Sequence, residues 1–169
     1  MDPSTTNKGK FYPNLGRRLP ITSTKENKYI YVMYVYDCNT ILTTVTKNRN
    51  DKEMIQAFTE LITNLKIHGI NPGFHFIDKI VSSASKMEMA TMDINHQLVP
   101  PSHHKSKKSE REIEMLKNHF KAGLCSIKGN LCFQLWDRLP QKAKKSTNVL
   151  RKSIVHPHLS AYIHIREEF

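Results

Sequence analysis

The chain has 169 residues, with 26 Lys and Arg against 15 Asp and Glu, and a formal net charge of +11. That length suits one domain with a core of its own, and 38% hydrophobic residues with seven Phe and six Tyr exclude wholesale disorder. No stretch approaches the run of about 18 apolar residues that a membrane-spanning helix needs. Residues 1–10 lack the apolar segment of a signal peptide. Cys38, Cys125 and Cys132 are odd in number and form no CxxC pair, the pattern expected of a reduced, intracellular protein without a structural zinc.

The charge is uneven. Residues 100–152 hold 13 basic and 4 acidic residues, a local balance of +9. Clustered positive charge favours a polyanion, of which nucleic acid is the commonest; a solubility surface has the same composition.

In chain order, residues 1–9 are polar and read as a disordered tail, followed by a single domain over 10–165 and a short tail over 166–169. Residues 10–14 suit a short strand, and Pro13 assigns it to an edge or interruption. Residues 29–36 (YIYVMYVY) form an unbroken apolar run rich in β-branched and aromatic residues, as in a strand buried on both faces. A turn at Asp37, Cys38 and Asn39 leads into a returning strand over 40–46. Asp51 is placed to cap a helix in which Met54, Ile55, Phe58, Leu61, Ile62 and Leu65 recur at helical spacing, and Gly69 is placed to end it. Residues 73–78 (GFHFID) read as a strand closing on an acid, and residues 96–99 as another, stopped by Pro100 and Pro101. A second helix is expected to begin between Ser106 and Ser109, with capping-box spacing from Ser109 to Glu112. Ile113, Leu116 and Phe120 are its apolar stripe, and Gly123 marks its end. Residues 133–150 read as helical, interrupted or kinked at Pro140. The order defines a mixed α/β domain.

Over residues 97–124 the chain resembles the catalytic core of integrases encoded by retrotransposons and retroviruses, which share the ribonuclease-H-like fold. The matching features are Pro100-Pro101, His104, Glu110-Arg111 and the run Lys117-Asn118-His119-Phe120 leading to Ala122-Gly123-Leu124. Further matches are Leu135-Trp136-Asp137-Arg138-Leu139, Asn148-Val149-Leu150-Arg151, and Pro157 with Leu159 to Tyr162. Upstream, Tyr36 to Leu42 and Lys47-Asn48-Arg49 are also similar. The likeness spans roughly residues 14 to 165 and implies an α/β, ribonuclease-H-like mixed sheet flanked by helices.

That resemblance implies three carboxylates around a pair of Mg2+ or Mn2+ ions, which activate a water or a DNA 3′-hydroxyl and stabilise the leaving oxygen of phosphoryl transfer. Asp78, at the end of a strand, matches the second acid, although Lys79 follows it where many relatives have Asn-Glu. Glu110 matches the third; an acid early in a helix also complements the helix dipole with no metal present. The first acid falls on Asn14, a neutral residue and a poor bridge between two metals. Asp37 precedes Asp78 and is an alternative acid, but it sits in the hairpin turn, where Asp is a common turn-former.

Lys105, Lys107, Lys108, Arg111, Lys117 and Lys121 surround Glu110, and the resemblance implies that they meet DNA phosphates. Lys142, Lys144, Lys145, Arg151 and Lys152 form a second basic stretch, equally readable as a solvated helix face. The nine histidines have no zinc-ligand spacing, and the His-His…Cys-Cys module that precedes many cores of the family would lie upstream of residue 1. The expected protein is therefore an integrase-core-like protein of a mobile element. It would bind DNA, self-associate and act in the nucleus, with no membrane and no small-molecule substrate, and with strand transfer impaired at the first acid. A non-catalytic DNA-binding or assembly module is the alternative.

Overall fold

The structure, a computed structural model, describes residues 10–71, 73–77, 87, 90–91, 94–98, 104–126 and 132–167. The expected tail at 1–9, residues 168–169 of the one expected at 166–169, Asp78 with Lys79, and Pro100 with Pro101 lie outside these residues, whereas 166 and 167 are helical. Among the described residues five strands form one mixed sheet: β1 (Lys10–Leu15), β2 (Tyr29–Val35), β3 (Thr40–Thr46), β4 (Phe74–Ile77) and β5 (Asn95–Leu98), in the order β3-β2-β1-β4-β5. β1, β2 and β3 are antiparallel neighbours, and β4 and β5 add in parallel.

β1 is therefore central, and of the two readings of Pro13, an edge strand or an interrupted one, the structure has the second. The register explains how the proline is accommodated. Gly16 N–H donates to Ile30 and Tyr36 N–H donates to Lys10, so even-numbered residues of β1 bond to β2. Pro13, opposite Met33, turns its nitrogen towards β4. Pairing with β4 involves only Lys10 and Phe11, so the missing N–H costs no ladder bond.

The sheet is covered on both faces. Helix α1 (Asp51–Ile67) packs Ala57, Phe58, Leu61, Ile62 and Leu65 against Phe11, Tyr31, Met33 and Val35. Helix α2 (His104–Cys125) packs Ile113, Leu116 and Phe120 against Tyr12, Val32 and Tyr34. Every β2 residue from Tyr31 to Val35 is buried, as the unbroken apolar run predicts. Trp136 joins the second core through an edge-on contact with Phe120, with ring centroids 6.4 Å apart.

The helix ends refine the expectations. Asn50, not Asp51, caps α1, accepting from Glu53 N–H at 3.0 Å, and Asp51 begins the helix as a first-turn acid. Gly69, at φ 73°, does end it: Gly69 N–H bonds to Lys66 and Ile70 N–H to Leu65, the two bonds of a Schellman motif. α2 begins earlier than expected and runs through Gly123 to Cys125. Ser109 is buried within it instead of capping it, and Glu112 pairs with Arg151. Residues 133–150 divide into a 3-10 helix (Phe133–Arg138) and α3 (Leu139–Leu150), and Pro140 lies in the first turn of α3, where a missing N–H is harmless. A short α4 (Ala161–Glu167) follows, an element with no counterpart among the sequence expectations.

Three of the buried rings carry phenols. Burial pushes the Tyr12 hydroxyl up to about 12, with repulsion from Tyr36 and Asp37 adding to it. Burial also raises Tyr31 and Tyr34. Phenols held protonated by the fold contribute stability that is intact below their unfolded value of 10.0 and is lost as pH climbs from there towards 12. Tyrosinate absorbance from these rings should therefore appear together with loss of circular dichroism in an alkaline titration; tyrosinate formation for all six tyrosines before unfolding would refute this.

Candidate active site

Asn14 is the fifth residue of β1, half-buried and opposite Val32. Side chains alternate along a strand, so Asn14 shares the face of Tyr12, beneath α2. Its Oδ1 accepts a hydrogen bond from the Lys117 ammonium at 3.1 Å.

Helix geometry decides which α2 residues share that side. At roughly 100° per residue, Glu110, Glu114, Lys117 and Lys121 form one stripe beside the Ile113–Leu116–Phe120 core stripe. Glu110 is exposed and lies two turns, roughly 10 Å of helical rise, from the residue that contacts Asn14. Lys108 and Glu112 fall on the opposite flank: Lys108 sits over the Tyr36 ring at 5.2 Å from its centroid, and Glu112 meets Arg151. Arg111 faces solvent. Lys105 and Lys107 lie in the first turns of α2, with side chains outside the described residues. The six cations around Glu110 thus do not form one surface. Among the cations whose side chains are described, Lys117 and Lys121 share the stripe of Glu110, and Lys117 is already engaged with Asn14.

The second basic stretch also disperses. Arg151 is buried, and its Nη2 donates to Glu112. Lys144 is half-buried, and burial pushes its ammonium down, against an opposing pull from Glu60. Lys145 sits over the Tyr162 ring at 5.8 Å from its centroid.

Beside Asn14 opens a cleft of about 630 Å³ between the end of β1, β2, α2 and α3. Ile30, Val32, Leu116, Phe120, Leu124 and Ala143 give it an apolar lining; Arg17, Arg18, Lys117 and Lys121 supply four cations against the one acid Glu114. The loop carrying Arg17 and Arg18 is tied to the 3-10 helix: Trp136 Nε1 donates to Ile21 at 2.8 Å, Thr24 N–H donates to Gln134 at 2.9 Å, and Asn27 Nδ2 donates to Asp137 at 3.1 Å. The Arg pair was overlooked in the sequence although it stands three residues past Asn14. The signal was two adjacent cations at a strand end.

Asp37 does not stand beside Asn14. Its carboxylate accepts from Lys10 N–H at 3.4 Å, and its carbonyl accepts from Ile154 and Val155. It thus stands at the start of β1, four residues or about 13 Å of strand from Asn14. Its work is to tie the hairpin turn to the segment after α3.

A pair of divalent ions does not fit the residues around Asn14. The side chain there is a neutral amide, and its oxygen is taken by an ammonium. Among the described residues no three His, Cys, Asp or Glu side chains cluster as metal ligands.

The order and handling of the strands, with helices on both faces, define an α/β fold of the ribonuclease-H-like class, in the form seen in integrase catalytic cores. The bovine immunodeficiency virus (BIV) integrase catalytic core domain superposes with a TM-score of 0.69 at 14% identity, covering 96% of this chain and 97% of that one. The catalytic core of HTLV-2 integrase, in complex with magnesium and in a trimeric form, gives 0.67 at 18% identity, with coverage of 95% and 97%. A chain of the simian T-cell lymphotropic virus intasome bound to the PP2A regulatory subunit B56 gamma gives 0.67 at 16%; 86% of this chain is covered but only 50% of that one. No protein-family model and no curated protein sequence matches the chain.

Proposed function

We propose that this chain is an integrase-core-like protein of a mobile element that binds DNA in the nucleus. Its metal-dependent strand transfer is impaired by the loss of the first acid at position 14, while Asp78 and Glu110 remain as the second and third. The observation that carries this reading is the cation-lined cleft beside Asn14 in a fold of this class. Exposed Arg17, Arg18 and Lys121 meet phosphates. A second reading, a non-catalytic DNA-binding or assembly module, is favoured by the Lys117–Asn14 contact.

One pair of assays separates them. Binding to duplex DNA, followed by fluorescence anisotropy, should weaken with salt, and replacing Arg17, Arg18 and Lys121 by alanine should flatten the log–log salt slope by about 2 to 3. Weak Mg2+-dependent joining of DNA ends that Asp78→Ala abolishes supports the impaired enzyme. Salt-sensitive binding with no joining supports the module. Salt-independent binding, or none, would overturn both.

A further inference from the structure

We propose that the Lys117 ammonium is a built-in cation, standing where a first carboxylate would hold a divalent ion, so that this end of the site carries positive charge without metal. The inference rests on the reading that position 14 is the first-acid position.

Three observations carry it. Asn14 lies on the α2 face of β1, opposite buried Val32. Lys117 reaches it from α2, and both residues are half-buried. An ammonium has three donors and no acceptor, so it satisfies an amide oxygen and repels any cation brought within a few ångströms. Lys117 follows Leu116, which is buried against the sheet, so the helix holds its Cα beside β1. Restoring an acid at position 14 therefore makes an ion pair with Lys117, not a metal ligand.

The test measures Mn2+ binding by electron paramagnetic resonance, and equilibrium unfolding, for the native chain, Asn14→Asp, Lys117→Gln and Asn14→Asp/Lys117→Gln, with Lys117→Met as a second neutral replacement. Far-UV circular dichroism checks that each is folded. The proposal expects Asn14→Asp to lower the unfolding constant about twofold to fivefold at low salt, a gain that added salt removes. It expects Mn2+ to bind Asn14→Asp at least about tenfold more weakly than the double variant. Equal Mn2+ affinity in Asn14→Asp and the double variant overturns the proposal and leaves the first-acid reading standing. No Mn2+ binding by the double variant overturns that reading, and the proposal with it.

Discussion

Replacing Asn148 with leucine is expected to destabilise the domain by about 4 kcal/mol, within the range for two buried backbone groups left without partners. β3 is an edge strand of the sheet. Because even-numbered residues of β2 bond to β1, its odd-numbered residues bond to β3, and Ile41 turns both its N–H and its carbonyl away from the sheet. Asn148 takes both: its Oδ1 accepts from Ile41 N–H at 3.0 Å, and its Nδ2 donates to Ile41 O at 2.8 Å. Gln141, seven residues earlier and so on the same face of α3, donates to Thr43 O at 3.0 Å. The helix thus covers the edge with amide side chains that stand in for a further strand. Asn148 is buried, so water cannot take over its bonds. Urea unfolding should show a lower midpoint with an unchanged m-value. A loss below about 1 kcal/mol would mean that the β3 edge relaxes or hydrates.

Replacing Arg151 with alanine is expected to cost about 3 kcal/mol, the lower end of what breaking a buried pair costs, because Glu112 is still 23% exposed and regains some hydration. Arg151 is 8% exposed, bonds to Glu112 across from α2, and lies over the Tyr34 ring at 5.6 Å from its centroid. Its removal leaves a carboxylate beside an aromatic wall. Arg151→Met/Glu112→Leu should recover most of the loss, since apolar pairs of similar volume often replace buried ion pairs without penalty. If the double variant is as unstable as Arg151→Ala, the guanidinium acts through packing on Tyr34 and not through its partner.

Local pattern made much of the fold legible. The apolar run at 29–36, the helical spacing from Met54 to Leu65 and the stripe Ile113–Leu116–Phe120 are each produced by burial of one or both faces, and burial is what hydrophobic periodicity records. The errors fell where tertiary context overrode a local rule. Pro13 leaves both an edge and an interruption open, because a lone strand offers no account of where its neighbour's pairing stops. Ser109 and Glu112 have capping-box spacing, yet Glu112 had a buried arginine to meet from a segment 39 residues away. Arg151 and Lys144 read as surface charge because sequence counts charges without their direction.

For the site, the sequence by itself determined the residue types: an amide at position 14, acids at 78 and 110, and a positive balance concentrated in residues 100–152. Only the tertiary structure decided what they meet. It turns Lys117 onto Asn14, sends Lys108 to the opposite flank of α2 and Arg151 inward, and brings Arg17 and Arg18 of the loop after β1 together with Lys117 and Lys121 of α2 in one cleft. The physical reason is that composition is a sum over the chain, whereas a charge acts through its distance and burial, and a helix turning 100° per residue distributes consecutive cations to different surroundings.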